Sequence, residues 1–153
     1  MQLFTLDLED DYLLIGIHTT QENYRLAYLL NTHLKTKLIR FKHHLDFKNS
    51  DAEFPLFEYK DENNFINYYL INNKYSQLVN SQKKEGLFEE NYYSTISYLI
   101  PEKKKVDFFL KIEGCNQKSL AKTLVEKLNN INQIITSYII DPNSLKSKDH
   151  LIF

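Results

Sequence analysis

The sequence predicts an α+β fold: an antiparallel sheet of six to seven strands with two helices on one face, an enlarged ferredoxin-like (split β-α-β) arrangement. Three observations carry this expectation. Apolar residues alternate with a period of two through several short segments, most clearly Val106, Phe108, Leu110 and Ile112 against Asp107, Phe109, Lys111 and Glu113. Two stretches place leucines one helical turn apart, Leu26, Leu30 and Leu34 in the first and Leu120, Leu124 and Leu128 in the second. Those stretches sit in similar frames, LLIGIHTTQENYRLAYLLNTHLKTKL and FFLKIEGCNQKSLAKTLVEKLNNINQI, each strand, turn, helix and strand. Leu26-Ala27 and Leu30 in one match Leu120-Ala121 and Leu124 in the other.

Leu3 to Leu8 reads as a short strand or docked arm, and Asp11 to Ile17 as a strand. Thr19-Thr20-Gln21-Glu22 has the form of a capping box, with a helix following to about Leu34. Leu38 to Phe47 alternates, with Ile39, Phe41, Leu45 and Phe47 on one face. Asn49-Ser50-Asp51 turns the chain. Phe54 to Lys60 and Phe65 to Ile71 form a hairpin across Asp61-Glu62-Asn63-Asn64. Residues 72–91 are polar, contain Gly86 and lack sustained periodicity; they read as a long loop with one helical turn near Gln77 to Ser81. Ser94 to Glu113 then reads as the central hairpin, its strands joined by Pro101-Glu102-Lys103-Lys104-Lys105. Proline presets φ there, and the charges keep the tip in water. Asn116 caps a second helix to about Asn129. Ile134 to Ile140 is a β-branched strand, stopped by Asp141-Pro142-Asn143-Ser144. The apolar Leu151-Ile152-Phe153 is expected to dock on the body.

The segment IPEKKKVDF, residues 100–108, resembles the signature of the bacterial IPExxxVDY family. Ile100, Pro101, Glu102, Val106 and Asp107 match, and Phe108 stands where the family name has Tyr. Phe keeps the ring and loses the hydroxyl. The resemblance implies a small single-domain protein spanning the whole chain, residues 1–153, and carries no assigned activity.

Composition excludes several function classes. At 153 residues the chain is the size of one ordinary domain. A net charge of −1 supplies no global field to recruit nucleic acid or acidic lipid. Three glycines and three prolines speak against disorder and against a phosphate-binding glycine loop. A single cysteine excludes an internal disulfide and a cysteine-based zinc site. The acidic start, MQLFTLDLEDDYLL, has no basic leader, and no apolar run approaches the length of a membrane span. A cytoplasmic location with no membrane partner is the expectation.

Catalytic chemistry is not expected. Cys115 precedes a helix, where the dipole lowers a thiol pKa, but no CxxC and no nearby histidine accompanies it, so it reads as an ordinary turn residue. His43 and His44 are adjacent on a strand and point to opposite faces; His18 and His33 lie elsewhere, so no metal site is expected. Glu102 and Asp107 bracket the lysines as a conceivable acid–base pair; the structural reading is that Asp107 pairs with a lysine or caps a backbone group. Lys103-Lys104-Lys105 and Lys83-Lys84 read as solvated runs. No cofactor is expected.

The surplus of Tyr and Phe points instead to contact with a protein. Phe109, Tyr69 and Ile71 fall on the sheet face opposite the helices and are the candidate interface, for a homodimer first and another protein second. The alternative is that chain segments, including Leu151-Ile152-Phe153, fold over that face. A small-ligand sensor resembling the ACT group, and RNA binding through the sheet, are two further readings.

Overall fold

The computed structural model describes residues 12–43, 45–46, 52–80, 92–114 and 118–153. Leu3 to Leu8, His44, Asn49 to Asp51, Cys115 and Asn116 lie outside them.

Strands rich in apolar residues on both faces take the middle of a sheet, because neither face meets water. Two such strands are β1 (Tyr12–Thr19, YLLIGIHT) and β9 (Phe108–Glu113, FFLKIE), and they pair antiparallel, Ile15 opposite Leu110. Outside β9 lie β6 (Ile66–Asn72) and β5 (Leu56–Asp61), joined as the anticipated hairpin, with residues 62–65 as its turn where Asp61 to Asn64 is expected. Gly114, with φ of 89°, closes β9 against that turn; a Cβ there would overlap the Phe65 carbonyl oxygen. The edges are β10 (Ile134–Ile140), beside β1, and β2 (Ile39–Arg40), beside β5. The result is a six-stranded antiparallel sheet in the order β10-β1-β9-β6-β5-β2.

Helices α1 (Asn23–Leu34) and α2 (Lys118–Asn129) lie on one face. Their buried Leu26, Leu30, Leu124 and Leu128 meet Ile15, Ile17, Phe108, Leu110 and Ile112 in a first core. The capping box does not form at α1. Glu22 is the N-cap without a side-chain bond, while Thr19 stays in β1 and donates to the Gln133 carbonyl. Each helix instead holds the edge strand that follows it. Asn31 Oδ1 accepts from the Leu38 N–H at 2.8 Å and Nδ2 donates to its carbonyl at 3.1 Å, just before β2. Asn129 does the same to Ser137 in β10, at 2.8 and 3.3 Å. One amide thus takes the place of a further strand at each end of the sheet.

Three expectations are corrected by the pairing. Ser94 to Glu113 is not a hairpin. Its first half is β8 (Tyr92–Tyr98), which pairs with β7 (Lys74–Asn80) in a separate two-stranded ribbon, while β9 enters the main sheet. The supposed loop after residue 72 therefore begins as a strand; residues 81–91 lie outside the described part. Pro101–Lys103 form a 3₁₀ turn, with Val106 N–H donating to the Lys103 carbonyl. Among the described residues of 38–47 the alternation yields two-residue strands, β2 and β3 (Leu45–Asp46); β3 pairs with β4 (Glu53–Phe54).

A further correction concerns the far face of the sheet. Leu14, Ile71 and Phe109 there are sealed by Leu99, by Ile100 and Val106 from the motif segment and by Leu145 and Leu151 from the C-terminal segment. A sheet covered on both faces makes a definite demand. Phe108→Ala and Phe109→Ala should each lower stability by about 3–5 kcal/mol, as truncations in two separate cores. Urea denaturation checks this, and a near-neutral Phe109→Ala would mean that the second core is not closed.

Candidate functional site around the IPEKKKVDF turn

The turn is built around a residue outside it. Asn73 sits between β6 and β7 and is fully buried. Its Oδ1 accepts from the Ile100 N–H at 2.8 Å, and its Nδ2 donates to the Lys103 carbonyl at 2.8 Å and the Val106 carbonyl at 2.7 Å. Its own N–H donates to the Asp107 carbonyl at 3.0 Å, and its carbonyl accepts from the Leu99 N–H at 2.8 Å. A buried amide is tolerated only when its groups are paired, and these are.

With the turn so fixed, its matched residues take distinct stations. Ile100 and Val106 plug the second core, and Phe108 the first. Pro101 starts the 3₁₀ turn. Glu102 reaches away to the C-terminal segment, where its Oε2 accepts from the Ser147 N–H at 2.7 Å. Partial burial pushes the Glu102 carboxyl up. Its own N–H, the Ser147 hydroxyl and the Ser147 and Lys146 N–H groups outweigh that and hold it below the usual carboxylate range.

Asp107 does both things anticipated of it. Oδ2 accepts from the Thr19 N–H at 2.9 Å, and Oδ1 meets the Lys74 ammonium at 2.8 Å. It therefore ties the end of β1 to the start of β7, and the two carboxylates of the motif serve separate partners. Asp107, Lys74, Asn72, Phe108 and residues 19–23 line an open groove of about 480 Å³. The Asn72 Oδ1 is buried there without a hydrogen-bond partner among the described residues. A second groove, about 380 Å³, lies between residues 101–106 and Tyr138.

The candidate interface is corrected here. Phe109 and Ile71 are 0% exposed and Tyr69 is 7% exposed, so all three belong to the second core. The C-terminal segment accounts for part of the cover: the Phe153 ring meets Tyr69 edge-on, with centroids 5.1 Å apart. Beneath it lies Lys111, only 3% exposed although charged. Its ammonium donates to the Leu151 carbonyl at 2.6 Å and pairs with Glu113 at 2.7 Å. The rings of Phe153 and Tyr12 stand 4.3 and 4.8 Å from it. Tyr69 completes the surround; burial and the nearby Glu113 and Glu58 carboxylates push its phenol up to about 12.

Among the described residues, no cluster of three His, Cys, Asp or Glu side chains is placed to hold a metal, and no helix is long and apolar enough to cross a membrane. His18 bonds the Tyr138 hydroxyl through Nε2 at 2.9 Å, and His43 packs against Phe41. Comparison with protein-family models, curated proteins and solved structures returns no match.

Sequence reasoning missed Asn73, Lys74 and Lys111. A signal for the first existed: Asn72-Asn73 interrupts an otherwise strand-forming run, where a polar pair serves a backbone.

Two measurements follow. Lys111→Ala should destabilise by about 2–4 kcal/mol, since it orphans a buried carbonyl and a carboxylate and removes cation–π contacts. A denaturant titration showing less than half of that would place Lys111 at the surface. The Tyr69 phenol is favoured neutral in the fold. Its contribution is complete below the ordinary value of 10.0 and is lost as pH rises toward about 12. Stability of the parent should therefore fall across that window more steeply than that of Tyr69→Phe.

Proposed function

We propose that this chain is a non-enzymatic protein-binding module whose contact element is the β7–β8 ribbon. One observation carries the reading. None of residues 74–78 or 93–98 is fully buried, and Leu78, Ile96 and Tyr93 are 73%, 55% and 50% exposed. A lone two-stranded ribbon is marginal in water, and apolar side chains concentrated on one mark a contact surface. Its base is anchored by the Asn73 carbonyl and by Tyr75 against Phe54, so the ribbon is presented from a fixed point. The partner is a second copy of this chain in the first instance. The side chains of residues 75–78 and 93–98 carry no charge, so two such ribbons meet without repulsion.

The fold reading behind this proposal is the ferredoxin-like split β-α-β plan. It is supported by the order β10-β1-β9-β6 and by the helices that follow β1 and β9. Membership of the IPExxxVDY family is proposed on residues 100–108 alone. The same strand order supports an ACT-like ligand sensor as the second reading, tested by a thermal-shift screen with amino acids. The cover on both sheet faces counts against stacking RNA bases there.

Light scattering at micromolar concentration should find the parent dimeric and Leu78→Lys/Ile96→Lys monomeric, with equal thermal midpoints. A monomeric parent that captures the same proteins from native lysate as the double variant would overturn the ribbon as the contact element.

A further inference from the structure

We propose that the groove between residues 101–106 and Tyr138 is a binding site for a multiply charged oxyanion, in biological terms a phosphate group. This rests on the turn and not on the ribbon. The groove holds about 380 Å³, in the range that accepts small ligands. Its wall carries Lys103, Lys104 and Lys105 in succession. The one acid in that wall, Glu102, is engaged with the Ser147 N–H at 2.7 Å. Among the described residues none of the three lysines forms an ion pair, in contrast to Lys60, Lys74 and Lys111. Lys104 lies 5.8 Å over the Tyr98 ring. The wall thus sets three adjacent ammonium groups beside one engaged carboxylate, a net positive array that an anion relieves and a neutral ligand does not.

A run of lysines on a floppy loop would be only a solvated turn. Here the backbone beneath them is pinned. Asn73 Nδ2 holds the carbonyls at both ends of the run, Lys103 at 2.8 Å and Val106 at 2.7 Å. Pro101 starts the turn with a fixed φ. A preorganised array spends less ordering entropy when it binds.

The floor is shaped as well. Gly16 in β1 lies against Val106 and Tyr138, two of the lining residues. A Cβ there would stand 2.8 Å from Ile140 Cδ1 and 3.4 Å from both the Tyr138 ring and Val106 Cγ2. Lacking one, Gly16 lets those side chains settle against the strand. The Tyr138 hydroxyl is held by His18 at 2.9 Å, which fixes the ring at the rim. The same array would take free phosphate or the phosphate of a nucleotide, whose base could lie on Tyr138.

Amide NMR titrations with inorganic phosphate and with AMP, against sodium chloride at matched ionic strength, test the proposal. Saturable shifts at residues 101–106, Tyr138 and His18 are expected. Lys103→Gln/Lys104→Gln/Lys105→Gln should weaken binding about tenfold or more, because charge-assisted contacts are the strong ones. Lys118→Gln/Lys122→Gln, on exposed positions of α2, should leave it unchanged. Thermal melts of both variants establish that they fold. Tighter binding of AMP than of phosphate identifies a nucleotide source, and equal binding identifies the free anion. Shifts no larger than chloride produces at millimolar anion, or equal losses in the two lysine variants, overturn the proposal.

Discussion

The fold hangs on one amide. Asn73 stands where the main sheet ends and the ribbon begins, and it makes hydrogen bonds to Leu99, Ile100, Lys103, Val106 and Asp107 with both backbone and side chain. Those partners enter and leave the turn, so the amide fixes the path by which β8 departs and β9 arrives. Without it, the carbonyls of Lys103 and Val106 and the Ile100 N–H would face an apolar interior, each at a cost of about 1–3 kcal/mol. An apolar replacement cannot satisfy them, and the site is 0% exposed to bulk water. The lysine groove, the Asp107 link to Lys74 and the cover on the second core all inherit their geometry from this point.

Lys111 plays the corresponding part on the far face. A charge taken from water must be paired and surrounded, or burial is prohibitive. Here the counter-charge is local, from Glu113, while the carbonyl and one ring come from the C-terminal segment at Leu151 and Phe153. Burial of the ammonium is thereby conditional on docking of that segment. The Glu102 bond to Ser147 and the contact of His150 Nδ1 with the Leu99 carbonyl, at 2.7 Å, fasten the same segment to the motif turn.

Local periodicity made the helices and strands legible, and pairing was where it failed. Leu26, Leu30, Leu124 and Leu128 announce their helices because a helix buries a stripe at fixed spacing. Ile134–Ile140 and the β5–β6 hairpin are read correctly for the same local reason. Ser94 to Glu113 resembles a hairpin because two alternating runs around a proline turn look alike whether or not they pair; the choice belongs to β7, β1 and β6, which are distant in sequence. The burial of Lys111 is not legible, because alternation says which face a side chain takes and nothing about what lies on that face. Of the candidate site, Asp107 could be anticipated from its charge among apolar neighbours. Asn73 could not be assigned a role, since its bonds run to residues 26 to 34 positions away.

The amides that close the sheet at Leu38 and Ser137 also bear on how the chain avoids its own kind in the wrong geometry. Strand β10 reads IITSYII: seven residues, no charge, no proline, and Ile135 and Ile139 exposed. Such a segment is a ready template for cross-β stacking once its free edge is open. Asn129 holds that edge at Ser137 only while α2 lies on the sheet. The hazard therefore resides in a partly opened state, one in which the last turn of α2 lifts while β10 stays in place. Local opening at the last turn of α2, short of global unfolding, is enough to free the β10 edge at Ser137.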